Sequence, residues 1–153
     1  MLNLLKKQLK NEKGLTLIEL LVVIVILGII AAIAVVSIGG LLDNSKKDAH
    51  IANAEQLINA ARMAVVADNN NVNGATYTMD ALVTAGHLES APKDPSGGDY
   101  NGTASKVVVA KGTSNGNLTY SVTLAKTTTL FYINGKAKPV RDDVKVPPVA
   151  ATN

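Results

Sequence analysis

A single carboxylate stands inside a long run of hydrocarbon side chains near the start of the chain. That carboxylate is Glu19, and no polar side chain occurs between Leu20 and Val36. A charged group at the centre of a membrane-spanning helix costs roughly 2.5–3.5 kcal/mol, and less near the interface, so such a residue is expected to have a partner. The position of Glu19 therefore indicates a binding role, and the alternative is an interfacial glutamate without a role.

The residues around Glu19 have the composition of a membrane anchor. From Leu15 to Leu42 the polar side chains are Thr16, Glu19 and Ser37. A helix over these residues would be about 42 Å long, which is enough to span a bilayer. The apolar run exceeds the roughly 7–15 residues of a secretory signal peptide, which argues against a removed secretory signal.

The net charge of +3 comes entirely from residues 1–14. Four lysines and one glutamate lie in that segment, and the rest of the chain has 11 basic and 11 acidic residues. A basic segment directly before an apolar helix is typical of positive-inside anchoring. Because the remaining chain is neutral overall, direct nucleic-acid binding is not indicated.

The segment KGLTLIELLVVIVILGIIAAIA, which begins at Lys13, resembles the N-terminal signature of type IV prepilins and pseudopilins. A glycine, the letters TLIEL and a long apolar run occur in it together. In that family a prepilin peptidase cuts after the glycine, the new N-terminus is usually methylated, and the fifth mature residue is glutamate. The resemblance therefore implies cleavage between Gly14 and Leu15, methylation of the Leu15 amine, and Glu19 as the fifth mature residue.

The resemblance also implies how Glu19 works. Cleavage would create a positive α-amino group on Leu15, and Glu19 of an incoming subunit would meet that amine on a neighbour already in the filament. Such a pair would set the axial register, because a wrong stagger leaves a buried charge unpaired. Within one helix the two groups lie about one turn apart, so a pair inside the same subunit is the alternative.

Two positions differ from the usual family pattern. Leu15 occupies the place of the usual phenylalanine, and Val36 occupies the place where many members have proline. Without that proline, flexibility of the helix needs another source. Glycine lowers helix stability by roughly 1 kcal/mol, so the candidates are Gly28, Gly39 and Gly40.

The hydrophobic pattern predicts one long helix from about Leu15 to Ala67. Beyond the anchor, apolar residues continue with helical spacing at Ile51, Ala54, Ile58, Ala61 and Val65. We therefore expect three regions: a leader peptide in residues 1–14, the transmembrane or filament-core half of the helix in residues 15–42, and a globular head in residues 43–153.

Local signals place shorter elements after the long helix. Thr78 as N-cap and Gly86 as a stop predict a helix over Met79–Ala85. The proline and glycine content predicts a loop over Ala91–Gly102, and Val146 to Asn153 is expected to be a loose tail.

The last third of the chain predicts a small antiparallel sheet. Asn134-Gly135 is a strong signal for a hairpin turn between two strands. The predicted strands are Lys106–Lys111, Leu118–Ala125, Thr129–Ile133 and Lys136–Val140. The expected fold is therefore α+β, with one long N-terminal α-helix packed on a C-terminal antiparallel sheet of three to four strands, in agreement with the pilin fold.

No arrangement of residues typical of an enzyme is present in the sequence, so we expect neither catalysis nor a cofactor. There are no cysteines, and the histidines His50 and His87 are interpreted as a solvated helix residue and a loop residue. Asp94, Asp99 and Asn101 form an oxygen-rich stretch, and some pseudopilins bind calcium in a comparable loop. Their spacing does not match an EF-hand, so a solvated turn is favoured over a calcium site.

Together these features predict a structural subunit, the major pilin of a type IV pilus surface filament. It would form a homopolymer after processing by a prepilin peptidase, with an assembly platform protein and an ATPase as further partners. Before assembly it would lie in the bacterial cytoplasmic membrane, and afterwards in the extracellular filament. The alternatives are a pseudopilin of a competence or type II secretion machine, and a single-pass membrane protein with an extracellular binding domain that never polymerises.

Overall fold

The structure is a computed structural model, and it describes residues 2–68, 74–112 and 116–150. The side chains of residues 2–15, 36 and 37 lie outside this description. The chain divides into two compact units, residues 1–42 and residues 43–153.

Helix α1 runs over Leu2–Ala67 and confirms the long helix expected from the hydrophobic pattern. The prediction placed its start at about Leu15, whereas the helix begins at Leu2. The earlier residues are mostly leucine, lysine and glutamine, which are good helix formers, so the helix extends through them. Its end at Ala67 agrees with the prediction.

The second half of α1 forms one wall of the hydrophobic core within residues 43–153. Its buried apolar residues include four of the five predicted stripe positions, and Ile51 is partly buried. The buried apolar residues are Ala54, Leu57, Ile58, Ala60, Ala61, Ala64 and Val65. Burying one large aliphatic side chain contributes roughly 1.5–3 kcal/mol, so this stripe is a main source of stability for the unit.

A short helix follows, with its start at Met79 as predicted and its end at Thr84, one residue before the predicted Ala85. Helix α2 covers Met79–Thr84, and the side chain of Thr78 accepts a hydrogen bond of 3.2 Å from the backbone N–H of Ala81. Met79 and Leu82 turn into the core. Gly86 follows with φ of +76°, a conformation that glycine adopts without steric cost, and it ends the helix as predicted.

One antiparallel sheet with five strands completes the second unit. Its strands are β1 (Thr76–Thr78), β2 (Lys106–Lys111), β3 (Leu118–Ala125), β4 (Leu130–Lys136) and β5 (Val149–Ala150). They lie side by side in chain order, each antiparallel to the next. The α+β pilin-like architecture agrees with the prediction, and the sheet has five strands instead of three to four.

Strands β2 and β3 have the bounds that the alternation of side chains predicted. Successive residues of a strand point to opposite faces, so every second residue can enter the core. Val107 and Val109 of β2 are buried, as are Val122 and Leu124 of β3. These four side chains face the same hydrophobic core as the α1 stripe.

The predicted hairpin at Asn134-Gly135 is wrong, because both residues lie inside β4. Gly135 has φ of +61°, and its N–H donates a hydrogen bond of 3.1 Å to Oγ1 of Thr123 on the neighbouring strand. The pairing register between β3 and β4 shifts at this level. An Asn-Gly pair can thus form a bulge within a strand instead of a hairpin turn, since the bulge and the turn both need a residue in the left-handed conformation.

The predicted strand over Lys136–Val140 is also wrong. β4 ends at Lys136, and a short 3-10 helix forms at Arg141–Asp143. Pro139 lies between them and lacks the N–H that a ladder requires, which disfavours a continued strand.

The last described residues correct the prediction of a loose tail from Val146 to Asn153. Val149–Ala150 pairs with Leu130 and Phe131 as strand β5, at one edge of the sheet. Residues 151–153 lie outside the described residues. The Pro147-Pro148 pair suggested a tail, but it precedes the strand and leaves the following N–H groups free to pair.

Candidate assembly segment

The residues predicted to act in processing and assembly all lie on helix α1. We define the assembly segment as residues 14–42. Gly14 and Leu15 are helical in backbone conformation, and Glu19 follows Leu15 by four residues, a rise of about 6 Å along the axis. Their roles in cleavage, methylation and assembly stay predictions.

Glu19 is exposed at the start of the apolar run. Among the side chains that the structure describes, no ion pair reaches its carboxylate. A carboxylate in this position can accept hydrogen bonds from an amine or remain in an interfacial layer of water.

The described apolar side chains of the assembly segment are almost all exposed. Leu20 is 62% exposed, Ile33 is 68% exposed and Val35 is 73% exposed. Contiguous apolar surface of this extent marks contact with lipid or with other protein. α1 is also long and apolar enough to cross a membrane, which is consistent with membrane anchoring before assembly.

The three glycines named as sources of flexibility lie inside α1. Gly28, Gly39 and Gly40 are all helical, and a Cβ added at any of them would meet no atom within 4 Å. Among the side chains that the structure describes, no packing contact therefore requires glycine at these positions. Their role in helix flexibility stays a prediction.

The second unit contains a buried polar cluster that the sequence analysis missed. His50, interpreted as a solvated residue, is fully buried on α1. Its Nδ1 lies 2.6 Å from the hydroxyl oxygen of Tyr100, and its Nε2 lies 3.2 Å from Oγ of Ser96. Its ring stacks on Tyr132 with 4.0 Å between centroids. The interpretation of His50 as solvated is therefore wrong.

Asp94 is the charged centre of this cluster. Its Oδ2 accepts hydrogen bonds from the Tyr132 hydroxyl at 2.7 Å and from Nζ of Lys126 at 2.9 Å. Its Oδ1 accepts the backbone N–H of Ser96 at 2.7 Å. Burial acts to raise the pKa of Asp94, but these hydrogen bonds outweigh it, so the pKa lies below its ordinary 3.8.

The other two residues of the oxygen-rich stretch do not join Asp94. Asp99 is exposed and pairs with Nζ of Lys93 at 2.7 Å. Oδ1 of Asn101 accepts the backbone N–H of Ala104 at 2.7 Å. Each oxygen group thus has its own protein partner, and among the described residues no set of three or more histidine and acidic side chains could hold a metal ion.

The second histidine has a more ordinary environment. His87 follows α2, and its backbone N–H donates to the carbonyl of Leu82 at 3.0 Å. Its side chain is partly exposed. The interpretation of His87 as a residue of the loop after the helix is confirmed.

The fold and the assembly segment define a class of protein. A long helix with an exposed apolar first part, followed by an antiparallel five-stranded sheet, is a pilin-like α+β architecture. A family model described as the prokaryotic N-terminal methylation motif matches residues 9–41. This motif is the signature of type IV pilins and pseudopilins, and it indicates a pilin-like or pseudopilin protein. Neither a curated protein nor a solved structure matches the chain significantly.

Proposed function

We propose that this protein is the major structural subunit of a type IV pilus, a surface filament built from many copies of the chain. One observation carries the proposal: the methylation motif at residues 9–41 overlaps the exposed apolar part of α1, and Glu19 is the one carboxylate in the sequence from residue 15 to residue 42. A structural role also fits the second unit, where the buried side chains of His50 and Asp94 are hydrogen-bonded to other protein groups.

The exposed side chains of the assembly segment would be covered first by lipid and then by neighbouring subunits. Before assembly a bilayer would cover them, since residues 15–42 are long enough to span its hydrocarbon core of about 30 Å. In the filament the same side chains would be covered by helices of neighbouring subunits. Gly28 and Ala32 form a small-xxx-small pair that allows helix backbones to approach closely.

Processing would supply the partner of Glu19. A prepilin peptidase would cut between Gly14 and Leu15, and the new α-amino group on Leu15 would be positive at neutral pH. Glu19 of an incoming subunit would pair with that amine on its neighbour. Because a misplaced subunit would leave both charges buried and unpaired, the pair would fix the axial stagger of subunits.

Assembly would require partners that act on the membrane-bound subunit. A platform protein would extract the subunit from the cytoplasmic membrane, and an ATPase would supply the energy. The sheet units would then form the extracellular surface of the filament. A pseudopilin would use the same first helix, so the size and location of the polymer separate the two functions.

Electron microscopy of filaments sheared from the surface of the natural host tests this proposal. Long filaments that contain this chain, identified by mass spectrometry of the sheared fraction, are the expected result. A chain that is processed but found solely in the cell envelope, with no long filament after shearing, would favour a pseudopilin instead. Deletion of the gene provides the control, because it should remove the filaments and leave flagella or other appendages unchanged.

A further inference from the structure

The buried cluster joins helix α1 to the segment of residues 93–101, which we call the 93–101 loop. His50 contacts Tyr100 and Ser96 of this loop, as described above. One helical turn later, Nδ2 of Asn53 donates to the carbonyl of Lys93 at 3.0 Å and to the Tyr100 hydroxyl at 3.1 Å. In the described residues, His50 and Asn53 thus make the side-chain hydrogen bonds between α1 and the loop.

These hydrogen bonds fit a neutral His50. The Tyr100 oxygen accepts from Asn53, and its own hydrogen can be donated to Nδ1 of His50 when that nitrogen is unprotonated. The proton of the neutral ring then lies on Nε2, which donates to Ser96. A second ring proton would face the Tyr100 hydroxyl and displace its hydrogen from its acceptor, so the arrangement fits a neutral histidine.

The charges around His50 do not compensate for an added proton. From the loop, Oδ1 of Asp94 lies 3.9 Å from Nε2, which favours a charged ring. Nζ of Lys126, from the turn between β3 and β4, pairs with that same carboxylate and opposes a second positive charge. Lys46, one turn earlier on α1, also opposes it, and Tyr132 of β4 covers the ring with an uncharged face.

Burial is the largest effect on the ring. Burial lowers the pKa of His50, the attraction of Asp94 opposes this, and Lys126 and Lys46 add to it, so that the pKa lies at about 4 instead of 6.5. The folded arrangement therefore binds the ring proton more weakly than an open one does.

We propose that His50 is a pH-sensitive latch, whose protonation releases the 93–101 loop from α1 while the sheet stays paired. This proposal does not depend on filament assembly, because every group in it belongs to one unit of one chain. It adds a conformational response to acid within the second unit, residues 43–153.

The release is local because the bonds between His50 and the loop are separate from the strand ladders, and Asp94 stays bonded to Tyr132 of β4. In the described residues, two backbone hydrogen bonds lie within the loop, Asp94 N–H to Gly98 O at 3.4 Å and Gly97 N–H to Asp94 O at 3.0 Å, and Asn101 N–H joins its end to Ala125 O of β3 at 2.8 Å. β2, β3 and β4 are joined by their own ladders, which do not use His50. Loss of the His50 contacts thus removes support from the loop and leaves the sheet hydrogen bonds intact.

The direction of the pH effect follows from the lowered pKa. His50 is harder to protonate in the closed latch than in the open one. The neutral ring therefore stabilises the closed latch fully above pH 6.5, and this stabilisation is lost as the pH falls from 6.5 towards 4. At pH 4.8 the opening equilibrium should be about 40-fold more favourable than at pH 7.5, as calculated from these two pKa values. Because the pKa of Asp94 lies below 3.8, its carboxylate stays charged over this range.

Hydrogen exchange of the full chain in detergent micelles tests the latch, with protection factors corrected for the intrinsic effect of pH. Between pH 7.5 and 4.8 the amides of Asp94, Ser96 and Gly97 should lose about 40-fold in protection. Those of Val122 and Leu124 should keep theirs. Equal losses in loop and sheet, or no loss in the loop, would overturn the proposal.

Two variants complete the test. His50→Gln keeps one acceptor and one donor but does not titrate, so its loop protection should be the same at both pH values. His87→Gln is the matched control and should behave as the unmodified chain does. If His50→Gln does not fold, the NMR titration of His50 in the unmodified chain decides: a pKa below 5 supports the latch, and a pKa near 6.5 contradicts it.

Discussion

The hydroxyl group of Tyr132 donates a hydrogen bond of 2.7 Å to Oδ2 of Asp94, and both side chains are almost completely buried. Tyr132 belongs to the centre of β4, whereas Asp94 belongs to the 93–101 loop. Lys126 supplies a second donor to the same oxygen. A buried carboxylate is stable here because its hydrogen-bond partners replace the water that it loses on folding.

Removal of the Tyr132 hydroxyl should therefore destabilise the protein. Tyr132→Phe keeps the aromatic ring on His50 but leaves a buried carboxylate with one donor fewer, which should lower the free energy of unfolding by about 1–3 kcal/mol. Urea unfolding of the full chain in detergent at pH 7.5 measures this change.

The control for Tyr132→Phe is Tyr77→Phe. Tyr77 also donates to a carboxylate, that of Asp68 at 2.8 Å, but Asp68 is exposed and Tyr77 is only partly buried. Its loss should change the free energy of unfolding by no more than about 0.5 kcal/mol. Equal losses of unfolding free energy in the two variants would show that the burial of Asp94 does not determine the loss in Tyr132→Phe.

The core contact between α1 and the sheet gives a second prediction. Leu57 is fully buried, so Leu57→Ala should leave a cavity and lower the free energy of unfolding by about 2–5 kcal/mol. Met63 lies on the same helix and is 60% exposed, so Met63→Ala should cost no more than about 0.5 kcal/mol. Thermal unfolding followed by circular dichroism compares them, and a larger loss for Met63→Ala would contradict the assigned core face.

Much of the fold was predictable because its signals are local. The α1 stripe, the Thr78 cap and the alternation in β2 and β3 each depend on a few neighbouring residues. β1 and β5 were missed because they are three and two residues long, and their pairing with distant strands gives no periodic pattern. The Asn134-Gly135 hairpin failed because a left-handed glycine serves a bulge and a turn equally well.

The buried cluster was missed because its partners come from distant parts of the chain. His50 is separated from Tyr100 by 50 residues, so their contact is a result of tertiary packing. One sequence signal was present: His50 lies four residues before Ala54 and seven before Leu57, which places it on the buried stripe. The assembly segment, in contrast, was predictable because its motif and its apolar run are continuous in sequence.

Glu19 provides the direct test of the proposed register pair. Glu19→Ala should still be cut after Gly14, but the Leu15 amine of each neighbour would then be buried without a partner. Breaking a buried pair costs about 3–5 kcal/mol, so the yield of sheared filaments should fall by at least about tenfold. Quantitative immunoblotting of the sheared fraction, beside total processed subunit, measures this loss.

The matched control is Glu55→Ala. Glu55 is also a carboxylate on α1, but it is exposed and lies outside the assembly segment. Its replacement should leave both processing and filament yield unchanged. Normal filament yield from Glu19→Ala would contradict the pairing, whatever the behaviour of Glu55→Ala.

The mature N-terminus is the most direct test of the whole interpretation, because the Glu19 pair and polymerisation both depend on cleavage at one bond. Mass spectrometry of the protein purified from its natural host should find a chain that begins at Leu15 and has a methyl group on its α-amine. A chain that still begins at Met1, in cells with an active prepilin peptidase, would contradict it.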